Sequence, residues 1–91
     1  MGCVFCNIVR NHTNDDVIYE DDNVIVIPDK YPVARGHMLV IPKKHYRNIL
    51  EMDDDTVGNL LVVAKKMAQA AVRALGAQGV NILTNIESAA G

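Results

Sequence analysis

No stretch of this sequence is long and apolar enough to cross a bilayer. Its strongest runs, residues 24–27 and 60–64, fall far short of the roughly 18 residues required. The N-terminus, MGCVFC, lacks the basic start and apolar stretch of an export signal, and no Ser or Thr stands where a myristoylation signal places one. A cytoplasmic protein is therefore expected, in a compartment where its two cysteines stay reduced. Positive charge is also scarce: 9 Lys and Arg face 11 Asp and Glu, and no basic cluster exceeds Lys43 and Lys44. That balance offers no electrostatic footprint for duplex nucleic acid. One Phe, three Tyr and a single C-x-x-C without a second argue against a zinc-dependent nucleic-acid binder. Repeats and low-complexity linkers are absent, so residues 1–91 read as a single domain.

What is present suits a folded chain. Apolar residues make up 49% and charged residues 22%, while 91 residues give only a small core, which a metal, a partner or further chain would support. A short helix is expected within residues 3–11. Residues 17–19 and the β-branched run 24–27 read as a hairpin around the polar turn 20–23, with the second strand buried and closed by Pro28. After a loop over residues 29–36, a third strand is expected at 38–41, ending at Pro42. A long helix begins near Asp53, where three aspartates supply a cap and favourable charge for the helix dipole. Val57, Leu60, Leu61, Ala64, Met67, Ala68, Ala71 and Leu75 recur at helical spacing along it, and Gly76 is the expected C-terminal cap. A fourth strand is expected at 80–84, then loop from Asn85. The order predicts an α+β fold, an antiparallel sheet with a long helix packed on it. With nothing after residues 80–84 to pair that strand, its apolar edge calls for a partner or further chain.

Several residues can carry chemistry. Cys3 and Cys6 are spaced so that two thiolates reach one tetrahedral zinc from a single turn of backbone. His45 is the preferred third ligand, with His12 and His37 as alternatives. Three ligands leave a fourth position that suits either a catalytic water or a ligand from elsewhere, and two buried small hydrophobes remain the plain alternative. Asp29, directly after a buried strand, can accept hydrogen bonds from both hydroxyls of a ribose or simply close a turn. Asn85 likewise orients a ligand or closes a turn, and Lys43 and Lys44 read as a solvated strand end.

Taken together, these positions resemble the histidine-triad (HIT) family of nucleotide hydrolases and transferases. The similarity covers nearly the whole chain: C-x-x-C-x-I at Cys3, Cys6 and Ile8; Y-E-D-D from Tyr19; V-I-P-D ending at Asp29; Pro32; G-H-M-L-V-I-P-K-K-H from Gly36 to His45; and Asn85 with Ala90 and Gly91. The run at 36–45 is the most specific, because its glycine, strand, proline and histidine all fall in register.

The resemblance implies zinc bound through Cys3, Cys6 and His45, with a fourth histidine from the triad segment. It implies a purine nucleotide such as AMP, its base against Ile27, its ribose held by Asp29, and Asn85 and Gly91 beside the phosphate. It further implies a homodimer with one continuous sheet. The family's H-x-H-x-H strand, whose middle histidine attacks the α-phosphate, is not found in these 91 residues. The expectation is a HIT-like fold lacking its last strand and C-terminally incomplete. The parent activity is then nucleoside phosphoramidate or dinucleoside polyphosphate hydrolysis, with this chain alone inactive. The alternative is a non-catalytic nucleotide- and zinc-binding interaction module. A further departure is Glu87, where many members carry Gly in an Asn-x-Gly turn. A carboxylate beside a phosphate repels it unless it points to solvent.

Overall fold

The computed structural model describes residues 17–29 and 36–90, so the helix expected within residues 3–11 lies outside the described residues. The chain divides into two compact units, Met1–His45 and Tyr46–Gly91.

The first unit holds a three-stranded antiparallel sheet in the order β1-β2-β3, with β1 at Tyr19–Glu20, β2 at Val24–Pro28 and β3 at Met38–Pro42. The turn between β1 and β2 is built by Asp21. Its Oδ1 accepts the N–H groups of Asn23 and Val24, each at 2.8 Å, and its own N–H donates to the Val24 carbonyl at 2.9 Å. A short acid folding back on nearby amides is how Asp replaces backbone partners in a turn. The Tyr19 hydroxyl donates to the other Asp21 oxygen at 2.8 Å. The Asn23 amide, helped by Tyr19, holds the Asp21 carboxyl below its ordinary range, and the same carboxylate raises the Tyr19 phenol above its own.

β2 is paired on both sides, and its sequence shows it. Val24, Ile25, Val26 and Ile27 are all buried, so the β-branched run needs no polar alternation. Register sets Ile25 opposite Ile41 and Ile27 opposite Leu39. Ile25, Ile27 and Ile41 form one core cluster, with Val17 and Leu39 packed against it. Fully burying each such side chain contributes roughly 1.5–3 kcal/mol. Beyond β3 the Lys43 N–H donates to the Asn23 carbonyl at 2.8 Å, and Lys43 Nζ lies 2.7 Å from Glu20 Oε2. Lys43 thus extends the ladder and makes an ion pair rather than ending in solvent.

In the second unit, a single 3-10 turn at Ile49–Glu51 is capped by Asn48, whose Oδ1 accepts the Leu50 N–H at 2.9 Å. The long helix α1 follows at Asp54–Leu75. Asp53 caps it by accepting the Thr56 N–H and hydroxyl, with Asp54 and Asp55 in the first turn and Arg73 in the last. Gly76, at φ 67°, ends it in the left-handed region with its N–H on the Ala71 carbonyl. Along the apolar stripe Val63 is the one buried residue described, whereas Leu61 and Leu75 are exposed. Among the described residues no helix is long and apolar enough to cross a membrane.

The fourth strand expected at 80–84 is not formed. These residues have no ladder partner among the described strands, and Val80, Ile82 and Leu83 are exposed. Apolar β-branched residues favour a strand only where a neighbour completes the hydrogen bonds. A second 3-10 turn, at Ser88–Ala90, follows where loop was expected.

Candidate functional site

Ile27 and Asp29 are delivered by the end of β2. Ile27 is buried within the core cluster, and the strand closes at Pro28 opposite Met38. Directly beyond that pair the Asp29 N–H donates to the His37 carbonyl at 3.0 Å, which fixes the backbone where the carboxylate emerges. His37 Nε2 lies 3.4 Å from Asp29 Oδ2, and both side chains keep partial exposure, 34% and 23%. A partly exposed carboxylate on a rigid strand end can accept hydrogen bonds from a diol. The imidazole beside it was missed as a partner, since the apposition follows from the Pro28–Met38 register rather than from sequence spacing.

His45 belongs to the opposite end of the hairpin. His37 precedes the five-residue β3 and His45 follows it, so the strand alone separates them by about 17 Å. One metal cannot take both histidines, and a centre at His45 is remote from Asp29. His45 is exposed. Cys3, Cys6, His12 and Gly91 lie outside the described residues. Among the described residues no group of three or more His, Cys, Asp or Glu is placed to hold a metal ion.

In the second unit Asn85 is exposed in the segment after α1. Two residues on, Glu87 adopts φ 65°, the left-handed conformation that favours glycine. Its carboxylate is engaged on both oxygens: Arg47 lies 2.5 Å from Oε2, and Asn48 Nδ2 donates to Oε1 at 2.7 Å. The departure at Glu87 therefore points to two donors forty residues upstream. Arg47 and Asn48 carried no local signal of this role. The clue in the sequence was a glycine position filled by an acid.

A family model, the HIT domain, matches residues 10–91. The chain is similar to the solved structure of a hypothetical histidine triad nucleotide-binding protein of Sulfolobus tokodaii. Identity is 45% and TM-score 0.92, covering 98% of this chain and 60% of that one. It is also similar to a Zn-bound histidine triad family protein of Mycobacterium smegmatis, at 42% identity and TM-score 0.92, covering 99% and 66%. With an adenylylsulfatase of Arabidopsis thaliana it shares 37% identity over 89 residues, 98% of this chain and 45% of that protein. The chain thus spans less than two thirds of each relative's length.

Proposed function

This chain belongs to the HIT family, a family of nucleotide-binding proteins and hydrolases, and on that premise we propose that it carries the nucleoside-binding part of a purine-nucleotide site. The observation that carries the reading is the seating of Asp29, its backbone tied to His37 at the closed end of β2, immediately beyond the buried Ile27. In this reading Asp29 accepts both ribose hydroxyls of a nucleotide such as AMP. Ile27 forms the apolar wall for the base, and Asn85 and Gly91 serve the phosphate. The parent reaction is hydrolysis of a nucleoside phosphoramidate or dinucleoside polyphosphate through a nucleotidyl-histidine. Covalent catalysis of that kind needs the nucleophile, and these 91 residues contain no H-x-H-x-H. The chain by itself binds without turning over. Phosphoramidate turnover above a blank would overturn that assignment.

Calorimetry with AMP tests the binding claim. Charge-assisted hydrogen bonds contribute about 1.5–3 kcal/mol, so Asp29→Ala should weaken AMP binding by about one to two orders of magnitude. An unchanged affinity in the variant would remove Asp29 from the site.

Zinc at Cys3, Cys6 and His45 belongs to the same proposal as a structural ion. Two thiolates and an imidazole suit its preference for sulfur and nitrogen. The separation of His45 from Asp29 along β3 supports a structural rather than a catalytic assignment. Bound there, zinc would tie chain segments together, and Asp29 and His37 would work without it. Metal analysis of protein purified without chelator checks this, and less than about a tenth of an equivalent would remove it. We also assign a homodimer, supported by exposed Val62, Val72, Ile82 and Leu83 in the second unit. Sedimentation equilibrium decides between one copy and two.

A further inference from the structure

Glu87 combines two features that are each unfavourable on their own. A non-glycine residue at φ 65° sits where its Cβ crowds the backbone. Its carboxylate also lies two residues from Asn85, assigned above to the phosphate side. Both problems are addressed by one set of contacts. Arg47 and Asn48 take one carboxylate oxygen each, while the Ala90 N–H donates to the Glu87 carbonyl at 3.2 Å. Asn48 is itself fixed, because its Oδ1 caps the turn at Ile49–Glu51. The donors are thus presented by an ordered turn, and the guanidinium neutralises the charge it holds.

We infer that Glu87 is a positioning residue, clamped by Arg47 and Asn48, that holds the bend after Asn85 and keeps its own negative charge from an incoming phosphate. The inference rests on the nucleotide reading for the phosphate and stands on geometry alone for the bend. Its consequence runs against ordinary charge reasoning. Arg47 helps an anion to bind without touching it, and only while residue 87 is an acid. Removing Arg47 frees a carboxylate and leaves the backbone strained. Replacing Glu87 with glycine removes carboxylate and strain together.

The test is a four-member set on the 91-residue chain: the unmutated protein, Arg47→Ala, Glu87→Gly and the double variant. Two readouts are taken, AMP affinity by calorimetry and backbone order of residues 86–90 by nitrogen-15 relaxation. Arg47→Ala alone should weaken AMP by about two- to fivefold, the scale of an exposed ion pair. It should also lower order parameters in the bend from about 0.85 towards 0.6. Glu87→Gly should bind AMP at least as well as the unmutated chain, and adding Arg47→Ala to it should change neither readout. An equal loss of affinity on removing Arg47 in both backgrounds would mean that Arg47 touches the nucleotide, and would overturn the assignment. Unchanged order in Arg47→Ala would overturn the clamp. Should the unmutated chain bind no AMP, the nucleotide reading fails for this chain, and the relaxation measurements still decide the clamp.

Discussion

The two units of this chain are stabilised by different means. In the first, four consecutive residues of β2 are buried, and the strand pairs with β3 along its whole length and with β1 at Ile25 and Val26. In the second, a helix of 22 residues contains one buried residue, Val63, and its ends are defined by the Asp53 cap and the left-handed Gly76. Burial specifies the sheet, while local hydrogen bonding sets the limits of the helix. The units should therefore respond differently to the same kind of substitution.

The largest effect is expected at the centre of β2. Ile25→Ala removes a side chain with no exposed surface and should cost about 2–5 kcal/mol in urea denaturation. Leu61→Ala, on the exposed side of α1, should stay within about 0.5 kcal/mol. Equal losses would break the contrast. Next come the helix ends, where Asp53→Ala should cost about 1 kcal/mol by removing the acceptor for Thr56. Gly76→Ala should cost a similar amount, about 1–2 kcal/mol, because alanine is strained at φ 67° although no atom lies near its added Cβ. A thermal scan of both variants that showed no loss would remove capping as the source of helix definition.

The smallest effect is a dependence on pH confined to the β1–β2 turn. Asp21 is held below its ordinary range, so its contribution is complete above about pH 4 and is lost as pH falls through the lowered value. Tyr19 is shifted upward, so its contribution is complete below about pH 10 and is lost as pH rises through the raised value. Asp21→Asn should flatten the acid side of a stability profile. Ultraviolet titration of Tyr19 should show phenol ionisation delayed in the native chain and closer to normal in the variant.

How much of this was legible in the sequence follows the range of each interaction. The caps at Asp53 and Gly76 act over a few residues, and the expected helix bounds agree with those observed. The run at 24–27 and its acidic turn marked the hairpin for the same reason. The expectation at 80–84 failed because a strand depends on a partner as well as on its own sequence. Val63 was overlooked although it lies three residues from Leu60 and four from Met67, on the same stripe. At the candidate site, Asp29 could be singled out from its place after a buried strand. The approach of His37 required the register, and the bridge from Arg47 to Glu87 required a fold over forty residues. Cys3 and Cys6 rest on their C-x-x-C spacing as well as on the resemblance, whereas Gly91 is an assignment from resemblance alone.

That bridge also has a place in the order of folding. Closing a loop of forty residues costs about 3 kcal/mol in chain entropy, more than the 1 kcal/mol or less an exposed ion pair returns. Arg47 and Glu87 cannot draw the chain together: α1 alone holds its two flanks about 33 Å apart, so they meet only after residues 76–87 have run back along the formed helix. Helix growth takes nanoseconds per residue and its relaxation about a microsecond, so the bridge is a late contact on the way in and an early one to open on the way out. Its loss during unfolding should precede the melting of the helix, giving the second unit an internal reporter of its own integrity.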